Sequence, residues 1–320
     1  MKKIFVLYTG GTIGMRTGTD GLLRPDTAIA EYALQAHQNN GLFFEWHVCD
    51  PLIDSAAVSP QHWAQWLALL QQRIGGYDGV LLLHGTDTLA YTANLLALAL
   101  DTRGKPLVLT GAQKPLGSPG SDAEANLVTA VAALLRDDIR ETLIAFDGSL
   151  YPAVGSSKCS TEQPQGFANS HFGAWQPQST APAQDAGSLK RRFDPAVRTA
   201  ALLLTPGESA RAAAHLLQNY PLDAAALLSY GHGNIPDDPV LLDAVRRFTE
   251  SGRILLNISQ AAQGCAAPVY AQGSALRQAG AVSGGKCNAE TATALLMLAA
   301  ANGWTAQDMR QELRRLRLRD

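Results

Sequence analysis

The chain has 320 residues, 46% of them hydrophobic and 17% charged, with a formal net charge of −2. That length exceeds what one hydrophobic core usually serves, so two domains are expected, and the composition excludes disordered, fibrous and membrane-embedded classes. The near-neutral charge gives no global attraction for nucleic acid or a membrane surface; the basic cluster from Arg310 to Arg319 reads as the solvated face of a terminal helix over Gln307 to Leu318.

The amino terminus, Met-Lys-Lys before a short apolar run and Gly-Gly, is too short for a signal-peptide core, which points to a cytoplasmic protein. The apolar run Ile4 to Tyr8 lacks alternation, as in a parallel strand covered on both faces. It stops at Thr9-Gly-Gly-Thr-Ile-Gly14, whose glycines free the backbone to turn and deliver the Thr12 hydroxyl at the strand's carboxyl end, where open α/β sheets bind ligands. Met15 to Leu23, rich in Thr and Gly, reads as a mobile surface segment and candidate lid. Pro25 is expected to open a helix through about Gln38, followed by a strand from Leu42 to Val48 with Asp54 and Ser55 beyond its carboxyl end.

Ser59-Pro60 caps a helix to about Arg73, with Trp63, Trp66, Leu67 and Leu70 on one face. Gly79 to His84 is a second buried strand. It ends in His84-Gly-Thr-Asp-Thr88 before another helix, so Gly85, Thr86 and Asp87 sit at a helix start that favours an anion. Further strands are expected at Pro106 to Thr110 and Leu143 to Phe146, with a capping box at Ser121 and Glu124 before the helix between them. Gly148 to Phe172 reads as irregular and holds Lys158.

Residues 176–198 read as an interdomain connection, between an N-terminal domain of residues 1–175 and a C-terminal domain of residues 199–320. The second unit should carry strands at Ala200 to Leu204, Ala224 to Ser229 and Arg253 to Ile258, with helices near 208–219, 238–250 and 289–302. Alternating strands and helices predict two doubly wound parallel-sheet α/β domains, the larger N-terminal and the smaller C-terminal. Cys49, Cys159, Cys265 and Cys287 have no paired spacing, so free thiols and no metal are expected. G-x-G-x-x-G would need glycine at Thr9, and G-x-S-x-G is absent, which sets aside dinucleotide binding and the serine-hydrolase elbow.

Thr9 to Gly14 and His84 to Thr88, with Thr110-Gly-Ala-Gln113, Ser121-Asp122 with Asn126, Ser229 to Asn234 and Asn288-Ala-Glu290, resemble the bacterial-type L-asparaginases, and their cytosolic type I branch in particular. The resemblance spans nearly the whole chain. It implies hydrolysis of L-asparagine to L-aspartate and ammonia through a threonine acyl-enzyme, with side activity on L-glutamine, no cofactor, and a homodimer or homotetramer with shared sites. By that resemblance Thr12 is the nucleophile, and Thr86, Asp87 and Lys158 form a hydroxyl-carboxylate-amine set. Ser55, Gly85, Thr86 and Asp87 bind substrate, joined by Asn234 and Glu290 from a neighbouring subunit. A threonine hydroxyl is a weak nucleophile unless something accepts its proton, and Lys158 does so only as a neutral amine. The chain departs from the family where Leu22 and Leu23 follow Gly21 in place of a lid tyrosine, and where Ala56 follows Ser55. A non-catalytic asparagine-binding or sensor protein is the alternative from a different class.

Overall fold

The computed structural model describes residues 1–35, 41–177, 189–267 and 271–319, in two compact units, Met1–Thr180 and Ala181–Asp320. The first unit is built on six strands in the order β4-β1-β5-β6-β7-β8: β1 Lys2–Tyr8, β4 Leu42–Val48, β5 Gly79–Leu83, β6 Leu107–Thr110, β7 Thr142–Phe146 and β8 Ser149–Pro152. All neighbours pair in parallel except the antiparallel β7–β8 pair. The unbroken apolar run of β1 has the cause its sequence suggests. Ile4, Val6 and Tyr8 pack in one core cluster with Leu127, Ala130 and Leu134 of a helix at Ala123–Leu135, while Phe5 and Leu7, on the other face, are equally buried. The chain runs from β1 to β4 on one side and then crosses to β5 on the other, which makes the gap between the carboxyl ends of β1 and β5 a topological switch point.

Three expectations in this unit are corrected. Pro25 does not open a helix: it ends strand β3, Leu23–Pro25, which pairs antiparallel with β2, Met15–Thr17. Proline is compatible with that position because a two-stranded edge needs no further N–H. The helix that follows, α1, is only Ile29–Tyr32, and the end expected for it near Gln38 lies outside the described residues. The segment from Met15 to Leu23 is thus part of a hairpin closed by a bidentate Arg24–Asp20 pair, with Leu22 at 62% exposure near its tip. Likewise, Gly148 to Phe172 is not irregular throughout, since it holds β8, β9 at Ser156–Lys158 and β10 at Phe167–Asn169, the last two paired antiparallel. The capping box at Ser121 does not form: Ser121 Oγ donates to Lys114 O and accepts Ala123 N–H, while Asp122 is the N-cap.

The second unit carries a parallel sheet in sequence order, β11 Thr199–Leu203, β12 Ala224–Ser229, β13 Ile254–Ser259 and β14 Val282–Ser283. Ala225, Leu227 and Leu255 share a core cluster with residues of the helices Ser209–Asn219 and Pro239–Glu250. The intervening residues Ala224, Ala226 and Leu256 are buried as well, and the helix Ala289–Asn302 packs on β11, β12 and β13. Of the segment read as an interdomain connection, residues 178–188 lie outside the described residues. Lys190 to Arg192 are fastened within the second unit: Trp304 Nε1 donates to Lys190 O at 3.0 Å, and Arg191 pairs with Glu312 at 2.8 Å. Among the described residues no helix is long and apolar enough to cross a membrane.

Glu312 is 1% exposed and sits between Arg191 and Arg315, each within 2.8 Å. Burial alone would raise its carboxyl group, but the two guanidiniums override that and hold it below its ordinary value. Replacing it by Gln removes the carboxylate that pairs with both arginines. Glu312→Gln is expected to lower stability by about 3 kcal/mol, as for other broken buried pairs, measured by urea unfolding of the full chain.

Candidate active site

The site of the first unit begins with backbone packed on backbone. Gly10 and Gly11 follow β1 with φ of 120° and 94°, and a Cβ on Gly11 would lie 2.4 Å from both Gly85 Cα and Gly85 N. A Cβ on Gly85 would meet Ser55 Oγ at 2.5 Å. Three loops therefore touch where only glycine fits. Backbone bonds fasten them further: Ile53 N–H donates to Thr9 O at 2.8 Å, and Leu116 N–H donates to Ile13 O at 3.0 Å. Thr12 opens a single 3-10 turn, Thr12–Gly14, directly after this contact. It is half-buried, and its hydroxyl has no hydrogen-bond partner among the described residues.

Gly85 caps the helix Thr86–Ala99, so Thr86 and Asp87 occupy its first turn. Ser55 Oγ accepts Asp87 N–H at 3.3 Å, and Ser55 O accepts the Thr88 hydroxyl at 2.7 Å, which ties the short turn Ser55–Ala57 to that helix end. Ser55 is buried at 4% exposure. Lys158 arrives from β9, whose pairing to β10 places it opposite Phe167. Its Nζ donates to Thr86 Oγ1 at 2.8 Å and to Asp87 Oδ1 at 2.7 Å. Because the lysine fills an acceptor position on Thr86, the Thr86 hydroxyl keeps its own proton to donate. Lys158 is largely sheltered while Asp87 is 59% exposed, so the carboxylate is both an ion-pair partner and open to a ligand.

Sequence reasoning left out the support behind Gly85. His84 is fully buried, with Nδ1 2.7 Å from Gly85 O and Nε2 3.0 Å from Thr92 Oγ1. A carbonyl only accepts, so Nδ1 carries the proton, Nε2 accepts from the Thr92 hydroxyl, and Thr92 Oγ1 in turn accepts Trp63 Nε1–H at 2.9 Å. The chain of donors is complete with a neutral imidazole. Burial lowers the His84 pKa to about 4, against the opposing pull of its bond to Gly85 O. Spacing along the sequence gives no sign of this relay, because Trp63 and Thr92 lie on separate helices.

A second fastening holds the loop after β6. Both Asp122 oxygens accept Gln113 N–H, at 3.0 and 2.9 Å, and Asn126 Nδ2 bridges Gly111 O and Asp122 Oδ2. In the second unit Asn234 lies in a loop strapped by Asn257, which donates to Gly233 O at 3.0 Å and accepts Ser229 Oγ–H at 2.6 Å. Glu290 stands in the first turn of the helix Ala289–Asn302, capped by Asn288. The structure thus brings Ser55, Gly85, Thr86, Asp87 and Lys158 together beside the Thr12 turn. Asn234 and Glu290 are at loop and helix starts of the other unit.

The profile of the asparaginase N-terminal domain matches residues 3–182, and that of the glutaminase/asparaginase C-terminal domain matches residues 198–313. The chain belongs to the asparaginase family. It is 31% identical to L-asparaginase 1 of Escherichia coli K12, over 90% of this chain and 89% of that protein. Among solved structures, L-asparaginase I of Vibrio cholerae superimposes with a TM-score of 0.85 at 28% identity, covering 98% of this chain and 96% of that one. The thermostable L-asparaginase of Thermococcus kodakarensis gives 0.84 at 25% identity, covering 97% and 96%. The type I resemblance and the two-unit α/β architecture stand on these matches, and this asparaginase-family chain is an amidohydrolase of the L-asparaginase type.

The buried imidazole gives this asparaginase-family protein a defined pH response. With a folded pKa of about 4 and an ordinary value of 6.5, the unfolded chain takes up the proton first as pH falls. The stability that neutral His84 confers is complete above pH 6.5 and is lost progressively toward pH 4, by about 3 kcal/mol in all. Urea unfolding at pH 7.5, 5.5 and 4.5 should show that decline. His84→Gln should be less stable at pH 7.5 by about 1–3 kcal/mol and should vary less across the same interval.

Proposed function

We propose that the protein hydrolyses L-asparagine to L-aspartate and ammonia through an ester on Thr12, with L-glutamine as a slower second substrate. The observation that carries this reading is the Lys158 ammonium bonded at once to Thr86 Oγ1 and Asp87 Oδ1, beside a glycine-bracketed threonine. Ser55, Gly85 and the first turn of the helix Thr86–Ala99 offer the substrate carboxylate a hydroxyl and a positive helix end. The open oxygen of Asp87 receives the substrate ammonium. That ammonium then shares the Asp87 carboxylate with Lys158.

In the first half-reaction Thr12 Oγ bonds to the side-chain amide carbon, the C–N bond breaks, and the hydroxyl proton ends on the departing ammonia. In the second, water attacks the ester carbon and its oxygen stays there; the bond from that carbon to Thr12 Oγ breaks, and the water's proton passes through Thr86 Oγ1 to Thr12, which regains its hydroxyl, while the Lys158 ammonium holds Thr86 Oγ1 in place. The substrate's far side is completed by Asn234 and Glu290 of a neighbouring copy, which makes the active form at least a dimer. The protein works in the cytoplasm, consistent with four cysteines that are free thiols.

Thr12→Ala and Thr86→Ala should each lower kcat by about 10³-fold or more with folding retained. Mass spectrometry of a quenched reaction is expected to place the acyl group on the peptide that contains Thr12; an adduct on Thr86 would reverse the assignment. Wild-type protein that binds asparagine without releasing ammonia would instead be a sensor.

Mixing inactive Thr12→Ala chains with inactive Glu290→Ala chains should restore activity in hybrids, because some sites then combine an intact Thr12 with an intact Glu290. Full activity from a monomer verified by light scattering would sink the shared-site proposal.

A further inference from the structure

The carboxyl-terminal segment holds a group of charges that the proposed reaction does not use. On the helix Ala306–Arg315, Arg310 and Arg314 stand four residues apart and share a face. The acids of that helix are engaged elsewhere, Asp308 with Thr305 and Glu312 with Arg191 and Arg315. Beyond the helix the chain is pinned: Leu318 is fully buried, its carbonyl accepts Lys286 N–H at 2.7 Å, and a Cβ on Gly285 would lie 3.3 Å from Arg319 Cβ. Arg319 is thereby held near Arg310 and Arg314, with Arg277, in the last turn of the helix Ala271–Gln278, as a fourth charge. Burial and then these three neighbours lower the Arg319 guanidinium from its ordinary value, while Cys265 opposes them. Among the described residues none of the four guanidiniums has a hydrogen bond or an ion pair.

An exposed basic helix face is ordinarily laced with carboxylates, and like charges four residues apart destabilise a helix. Here four cations gather, and among the described residues none of them has a carboxylate partner. We propose that Arg277, Arg310, Arg314 and Arg319 form a binding site for an oligophosphate, a chain of linked phosphates either free or carried by a nucleotide. Guanidinium forks match phosphate oxygens two at a time, and forks on successive helical turns engage successive phosphates, whereas a single carboxylate satisfies one fork. Among the described residues none of the four positions is paired with an aromatic ring, so no stacking platform of the kind single-stranded nucleic acid uses is described at the cluster. The chain's net charge of −2 also opposes a long polyanion more than a short one.

The test is calorimetry and thermal melting of the full chain with sodium tripolyphosphate, ATP, inorganic phosphate and a short oligodeoxythymidylate. Tripolyphosphate should bind saturably, one per chain, at least tenfold tighter than inorganic phosphate and more weakly as salt is raised. Arg310→Gln and Arg314→Gln should each weaken it at least fivefold, while their melting temperatures without ligand stay level or rise, since repulsion is relieved. Equal affinity for ATP and tripolyphosphate assigns recognition to the phosphate chain; tighter ATP assigns a nucleotide source. Inorganic phosphate as tight as tripolyphosphate, unchanged affinity in the Arg310→Gln/Arg314→Gln double variant, or a preference for the oligodeoxythymidylate would overturn the proposal.

Discussion

Everything in the first unit's site depends on a contact without side chains, the meeting of Gly11 with Gly85. Parallel pairing of β1 with β5 sets the ends of two strands side by side, and the loops that leave them must then pass within van der Waals distance. Any Cβ would force them apart. The left-handed φ of Gly11 adds a second reason for glycine at the same place. Thr12 and Thr86 each follow one of these glycines, so the contact fixes two hydroxyls relative to one sheet before any side-chain bond is considered.

Around that contact the polar groups fall into a reacting layer and a supporting one. In the reacting layer Asp87 is open, the sheltered Lys158 spans it and the buried Thr86, and the helix end supplies oriented N–H groups. The supporting layer has fully buried His84, neutral under Gly85, and half-buried Asp122 gripping the loop after β6. Groups withdrawn from water must be paired or neutral. His84 meets the condition by losing its proton, Asp122 by accepting backbone N–H groups.

The parts of the fold that were legible in the sequence were those with a strong apolar signal. Leu42 to Val48 and Ala224 to Ser229 match their strands residue for residue, and the helix from Pro60 to Arg73 keeps both ends. Short paired segments were not legible. Ser156–Lys158 and Phe167–Asn169 are too short to show a period, and their pairing is decided by contacts across the loop between them. Pro25 misled because proline suits a helix start and an edge strand equally well. For the site, the glycine and threonine motifs located the loops, but the Lys158 contact crosses 72 residues to Thr86 and no local pattern encodes it. The His84–Thr92–Trp63 relay was invisible for the same reason.

The hairpin of Met15–Thr17 and Leu23–Pro25 is held by three residue pairs, by an ion pair from Arg16 to Asp26, and by the Asp20–Arg24 fork, both of whose partners face water. Dissolved ions reach such a pair and compete for each half of it, whereas the sheet strands of the same unit are held by apolar burial that ions strengthen or leave alone. Electrolyte concentration is therefore a selective handle on this protein: brine loosens the hairpin ahead of the sheet, and fresh water tightens it.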